Sequence, residues 1–238
     1  MTPAQSEWAQ FAAALAVFLA SHSVPARPTV RRALRERLGG RAYMALYSIV
    51  SLAVFIWLIA AAENAPRIAL WSFEPWQLWV PNIVMPFACL LIAFGFAAPD
   101  PFSIAGRNGA AFDPTRPGIA GITRHPILWA VTLWAAAHMV PNGDLAHVIL
   151  FGLFALFGLA GMAMFDVRKR REWGAALWAK RTAHTSLLPF AAILAGRFSG
   201  AGLRARPILF IAALALYISL IFLHPHIIGV SPLPDLRA

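Results

Sequence analysis

Residues 42–62 read AYMALYSIVSLAVFIWLIAAA, and residues 145–165 read LAHVILFGLFALFGLAGMAMF. Neither stretch contains Asp, Glu, Lys or Arg. A helix crossing the hydrocarbon core of a bilayer needs roughly 17–25 predominantly apolar residues, and each stretch supplies 21. Outward from these two, Leu78–Ala98 meets the same requirement. Pro126–Pro141 and Pro207–Leu223 are shorter apolar runs, and Gln5–Val24 has the shortest apolar centre. The pattern predicts an all-α fold: a polytopic transmembrane bundle of about six helices, forming one domain over residues 1–238.

Composition agrees. The chain is 60% apolar and 13% charged, whereas soluble domains run near half and a quarter. The net charge of +10 would suit nucleic acid in a soluble protein, but its placement excludes that reading. With six spans and an outside N-terminus, the cytoplasmic segments are 22–41, 99–124 and 167–206. They hold six, three and nine of the 20 Lys and Arg residues, leaving only Arg67 and Arg237 outside. That asymmetry follows the positive-inside rule and predicts both termini on the outer side. Trp71, Trp76 and Trp79 then fall at the outer interface. No Lys or Arg precedes the apolar run Trp8–Ala20 and six Arg follow it. That order is inverted for a cleaved signal, so the first helix is expected to be retained.

Asp166–Arg181 alternates basic and apolar positions around Trp173 and Trp178. This predicts a short interfacial helix in the last cytoplasmic segment, resting on anionic lipid. Leu187–Gly196 is apolar but too short to span and reads as a re-entrant or interfacial piece. Pro86, inside the third span, predicts a kink. The single Cys89 cannot form an intramolecular disulfide.

Seven histidines are the candidate chemical groups: His22, His125, His138, His147, His184, His224 and His226. Ionisable residues inside a bilayer usually face a bundle interior or a cavity, and His138 lies well inside the fourth span. His125 and His138 are thirteen residues apart, which places them roughly 20 Å apart along a helix and on faces about 140° apart. Each also has a plainer reading. His22, His125, His224 and His226 flank helix ends, where a histidine is often only interfacial. His138 could serve a helix–helix hydrogen bond, His147 a cap beside Asp144, and His184 a structural role in a basic loop. The sequence shows no Cys/His cluster with zinc spacing, no phosphate-binding glycine loop and no Ser–His–Asp arrangement. Histidines on separate helices of a bundle can ligate a haem iron, although composition alone does not establish one.

Four stretches carry a more specific signal: FLASHSVPA (18–26), LGGRAYMALYSIVSL (38–52), GITRHPILWAVTLWAAAHMVPNGD (121–144) and TSLLPFAAILAGR (185–197). Through them, over residues 17–197, the chain resembles the NnrU family, whose plant and cyanobacterial relative is 15-cis-zeta-carotene isomerase. The resemblance implies haem b held by His22 and His138 as catalytic axial ligands, with Arg124 and His125 as neighbouring cofactor-binding residues. It implies two possible roles. One is cis–trans isomerisation of a lipophilic polyene such as zeta-carotene, where a freed iron position polarises the central double bond. The other is a part in nitrite and nitric oxide metabolism during denitrification. The expected setting is a bacterial inner membrane, with membrane lipid and a lipophilic small molecule as partners; the placement of the basic residues already argues against nucleic acid. A different class is also open. Arg124–His125–Pro126 followed by REWGAALWAKR (171–181) is similar to membrane methyltransferases of the isoprenylcysteine type, although Glu172 lacks their adjacent acidic partner. A non-catalytic membrane component is the third reading. A transporter would more often show paired intramembrane acids or two related halves, and neither is present.

Overall fold

The computed structural model describes residues 2–25, 27–102, 112–203 and 206–234. Arg107, Arg204 and Arg237 of the charge count lie outside the described residues. The chain forms α1 (Pro3–Ser23), α2 (Pro28–Leu38), α3 (Gly40–Glu63), α4 (Trp79–Ala97), α5 (Ile119–Ile122), α6 (Pro126–Met139), α7 (Leu145–Thr182), α8 (Ala191–Leu194) and α9 (Pro207–Ile227). No strand occurs among the described residues. The chain divides into two compact units, Met1–Ser72 with Gly143–Leu150, and Phe73–Asn142 with Phe151–Ala238.

In the first unit, a capping box opens α1. The Thr2 hydroxyl accepts from Gln5 N at 3.3 Å, and Gln5 Oε1 accepts from Thr2 N at 2.9 Å. This satisfies donors that a helix N-terminus leaves orphaned. Phe11, Ala14 and Phe18 are buried along one stripe of α1, which packs on α3. Spacings of three and four keep side chains on one helix face, and His22 continues that stripe. The α2 helix carries Arg31, Arg32, Arg35 and Arg37 and also packs on α3. The segment after α3 is clasped by the start of α7: Leu70 N donates to Gly143 O at 2.7 Å and Leu145 N to Ile68 O at 2.8 Å. A Cβ on Gly143 would lie 2.5 Å from the Trp71 ring, so only glycine fits there.

In the second unit, α4 packs on both α6 and α9. Small residues set these approaches. A Cβ on Gly95 of α4 would meet Ile127 at 2.9 Å and Pro126 at 3.0 Å, and one on Gly158 of α7 would collide with Thr132 Oγ1. So α6 is pressed between α4 and α7. Ile127, Leu128, Ala130, Thr132, Ala135 and Ala137 are all buried. Small residues at such contacts are the usual device where lipid gives no hydrophobic drive between helices.

Four helical stretches are both long and apolar enough to cross a membrane: Gly40–Glu63, Pro75–Ala97, Leu145–Thr182 and Pro207–Ile227. The other two of the expected six fall short in different ways. α1 has 21 residues but carries Gln5, Ser6, Glu7 and Gln10 in its first half. α6 is apolar but has only 14 residues, or roughly 21 Å at the helical rise. Pro86 lies within α4, which runs unbroken past it. The segment Asp166–Arg181, expected as an interfacial helix, is continuous with the span that precedes it. α7 continues through Asp166 to Trp173, breaks at Gly174 (φ 76°, ψ 164°), and resumes to Thr182. Leu187–Gly196 is mostly loop around the single turn of α8.

Candidate functional site

The sequence TRHP at 123–126 builds the most polar interior of the second unit. Proline disfavours the helical region for the residue before it. His125 therefore takes φ −126° and ψ 61° as the N-cap of α6, with Pro126 at the first helical position. Its ring turns into the interior, where the residue is 1% exposed. Nε2 of His125 donates to Asp166 Oδ1 at 2.8 Å. Arg124 donates to the same carboxylate from Nε at 3.3 Å and from Nη2 at 2.5 Å. Its remaining Nη1 donates to Thr185 Oγ1 at 3.2 Å, and its guanidinium lies 5.5 Å from the centre of the Trp178 ring. Nδ1 of His125 is buried and has no hydrogen-bond partner.

The 183–190 loop closes this cluster from below. Arg124 N donates to Ser186 O at 2.9 Å. Leu187 O accepts from Thr123 Oγ1 at 3.0 Å and from Trp129 Nε1 at 2.9 Å. Asp166 directly follows the apolar run of α7 and lies beyond the span. Burial works against its ionisation, but hydrogen bonds from His125 and Arg124 and the Arg124 charge outweigh that and hold its carboxyl below the ordinary carboxylate value. Arg124 and His125 are thus brought together, on a third residue that the sequence pattern does not single out. The available signal was a lone acid at the end of an apolar run, 41 residues from the histidine.

His138 lies in the last turn of α6, at the end opposite His125. Its Nδ1 bonds Trp134 O at 2.8 Å, and its ring packs against Trp134 and Phe151 at 5.7 Å each. His22 belongs to the first unit. Its Nδ1 bonds Phe18 O at 2.9 Å, with the tilted Phe18 ring 4.2 Å away and Tyr47 at 6.2 Å. A carbonyl can only accept, so Nδ1 carries the proton in both rings and the neutral lone pair lies on Nε2. That is the tautomer an axial imidazole requires, with the second nitrogen fixed by a backbone acceptor. His22 and His138 therefore fit the donor chemistry of a haem iron. His125 offers its Nε2 to a carboxylate instead.

His224 and His184 make the same kind of Nδ1–carbonyl bond, but in exposed settings, and His147 is held by two carboxylates. His224 Nδ1 bonds Val230 O at 2.8 Å and His184 Nδ1 bonds Arg197 O at 2.6 Å. His147 bonds Asp144 Oδ2 at 2.7 Å and Glu63 Oε1 at 3.3 Å, and its backbone N donates to Asp144 Oδ1 at 3.2 Å as expected of a cap. No group of three or more metal-binding side chains occurs among the described residues.

No curated protein and no solved structure matches the chain. A family described as NnrU protein matches residues 10–232. The match takes in both compact units, including His22, the Arg124–His125–Asp166 cluster and His138, and the chain belongs to the NnrU family.

Proposed function

We propose that this protein binds haem b through His22 and His138 and acts as a cis–trans isomerase of a lipophilic polyene such as zeta-carotene. The observation that carries the reading is the common setting of the two rings, each part-buried on a helix and tied back to that helix's own backbone. Each is tied through Nδ1 to the carbonyl one turn back on its own helix, and each holds its lone pair on Nε2. When bound, haem would supply a Lewis-acidic iron able to draw electron density from a double bond and ease rotation about it.

The chain's own residues do the rest. Phe18 beside His22, and Trp134 and Phe151 beside His138, fix ring orientation. Arg124 and His125 serve the site indirectly, by anchoring the base of the helix that carries His138. The proposed setting is the inner membrane of a bacterium, with α1 and α6 counted among six spans and both termini on the outer side. The methyltransferase reading loses ground, because the Arg124 guanidinium that would hold a cofactor carboxylate already binds Asp166.

The test is an absorption spectrum of the protein purified in detergent after expression with haem supplied. A Soret band is expected. His22→Ala and His138→Ala should each change it, and an unchanged spectrum in either variant excludes that ligand. No band at all sinks the haem assignment. A haem-loaded protein that leaves 15-cis-zeta-carotene unconverted but shifts its spectrum with nitric oxide would assign the nitrogen-oxide role instead.

A further inference from the structure

The break in α7 lies at the water-facing edge of the headgroup layer. From Leu145 to Trp173 the helix runs 29 residues, roughly 43 Å at 1.5 Å per residue. The hydrocarbon core takes up roughly 30 Å of that, which the apolar run to Phe165 fills. Asp166–Trp173 therefore passes through the headgroup layer, roughly 5–7 Å thick on each side, and Gly174 turns the chain at its water-facing edge. Its φ of 76° is a backbone conformation that suits glycine, and a Cβ at this position would meet nothing within 4 Å. The turn is thus a matter of backbone, not of crowding.

Charge accounting leaves this elbow strongly positive. The two acids of the segment are already used: Asp166 by Arg124 and His125, and Glu172 by Lys169 at 3.0 Å. Arg168, Arg170, Arg171, Lys180 and Arg181 have no carboxylate partner among the described residues. Cations from both sides of the break converge on one ring, since Lys169 lies 5.2 Å and Arg181 4.4 Å from the centre of Trp173. Trp178 packs on Trp173 at 6.1 Å. The 183–190 loop and α8, which follow this segment, expose Leu188 (60%), Phe190 (56%) and Leu194 (87%). Unpaired cations, half-buried tryptophans and bare apolar side chains together match a surface covered by lipid headgroups and the acyl chains beneath them.

We propose that the elbow at Gly174 binds the phosphate headgroup of an anionic phospholipid, gripped by Arg170, Arg171, Lys180 and Arg181 with Trp173 and Trp178 beside it. The site shares Trp178 with the Arg124–Asp166 cluster, so a bound headgroup also steadies the base of α6. It is independent of what the histidines hold.

The test uses the full chain in a neutral detergent, titrated with phosphatidylglycerol or with phosphatidylcholine of the same acyl chains. Lipid retention is read by native mass spectrometry and stability by thermal melting. Phosphatidylglycerol should bind tighter and raise the melting temperature, and 0.5 M salt should abolish the difference. Each basic residue near an anionic surface contributes a few-fold, so Arg170→Gln, Arg171→Gln and Lys180→Gln together should weaken phosphatidylglycerol on the order of 100-fold. All three are exposed, so melting in phosphatidylcholine should stay unchanged. Equal retention of the two lipids overturns the proposal, as does a triple variant that keeps the preference. Glycerol 3-phosphate reproducing the full effect would also overturn it, by assigning the site to a free anion.

Discussion

Replacing Asp166 by asparagine keeps the shape of the side chain and removes its charge. Three donors converge on that carboxylate: Arg124 Nε and Nη2, and His125 Nε2. An asparagine has one acceptor oxygen, and its amide would point a donor at a donor. Arg124 would be left with a charge at 12% side-chain exposure and no carboxylate. Removing one partner of a buried ion pair costs about 3–5 kcal/mol. The lower end applies, because Arg124 retains Thr185 Oγ1 and the Trp178 face. For a chain of this size about 3 kcal/mol corresponds to roughly 6–12 °C of melting temperature. The assay is thermal unfolding of purified protein in detergent, followed by circular dichroism, with Arg124→Ala, Asp166→Ala and the double variant alongside. The losses should couple by about 2 kcal/mol rather than add. A shift below roughly 2 °C for Asp166→Asn, or additive losses in the cycle, would refute the claim that the pair is a buried, mutually dependent network.

Other outcomes follow from single positions. The Asp166 carboxyl is depressed in the folded protein, so its stabilisation is complete above the unfolded value near pH 4 and fades only as pH falls through the lower folded value. Melting curves of wild type and Asp166→Asn should therefore differ fully at pH 7 and converge only once pH has fallen below the depressed folded value. Gly158→Ala places a methyl against Thr132 Oγ1 and 3.0 Å from Leu128 O, and should cost about 1–3 kcal/mol by forcing α6 from α7, read as lower melting temperature. Gly174→Ala meets no atom, so only the backbone is penalised: φ 76°, ψ 164° is a region kept almost entirely by glycine, at about 1–3 kcal/mol; changed Trp173 and Trp178 fluorescence would report the straightened elbow.

The bilayer makes some of this fold easy to read and hides the rest. α3, α4, α7 and α9 are legible because a lipid-facing helix must be long and apolar, whatever it packs against. α1 is less so, since a helix whose first half holds Gln5, Ser6, Glu7 and Gln10 shows its identity through a Thr2–Gln5 capping box rather than through hydropathy. α2 is amphipathic and basic, and reads in sequence only as loop charge. The elbow is invisible to pattern, because Gly174 continues a helical spacing and only its φ reveals the turn. The site divides the same way. Arg124, His125 and His138 stand out as polar residues at the ends of an apolar helix. Asp166 does not, because its meaning lies in a contact made 42 residues from Arg124.

That contact also explains how so short a helix can live inside this unit. With 14 residues, α6 cannot bring both of its ends to water by itself, and unsatisfied backbone groups at membrane depth are costly. Each end is therefore closed by protein. At the first, Pro126 removes one orphan donor outright, and Thr123, Arg124 and Trp129 bond the 186–187 backbone. At the other, Asn142 Nδ2 donates to His138 O at 2.7 Å, taking up a carbonyl that the helix leaves open. RHP and HMVPN are thus the two closures of one buried helix. The ion pair with Asp166 belongs to the first, and the ring of His138 is carried by the second. A helix held at both ends and pressed between α4 and α7 has little freedom to slide or turn. His138 gains from that constraint, because its Nε2 is aimed by the position of the whole helix as much as by its own bond to Trp134.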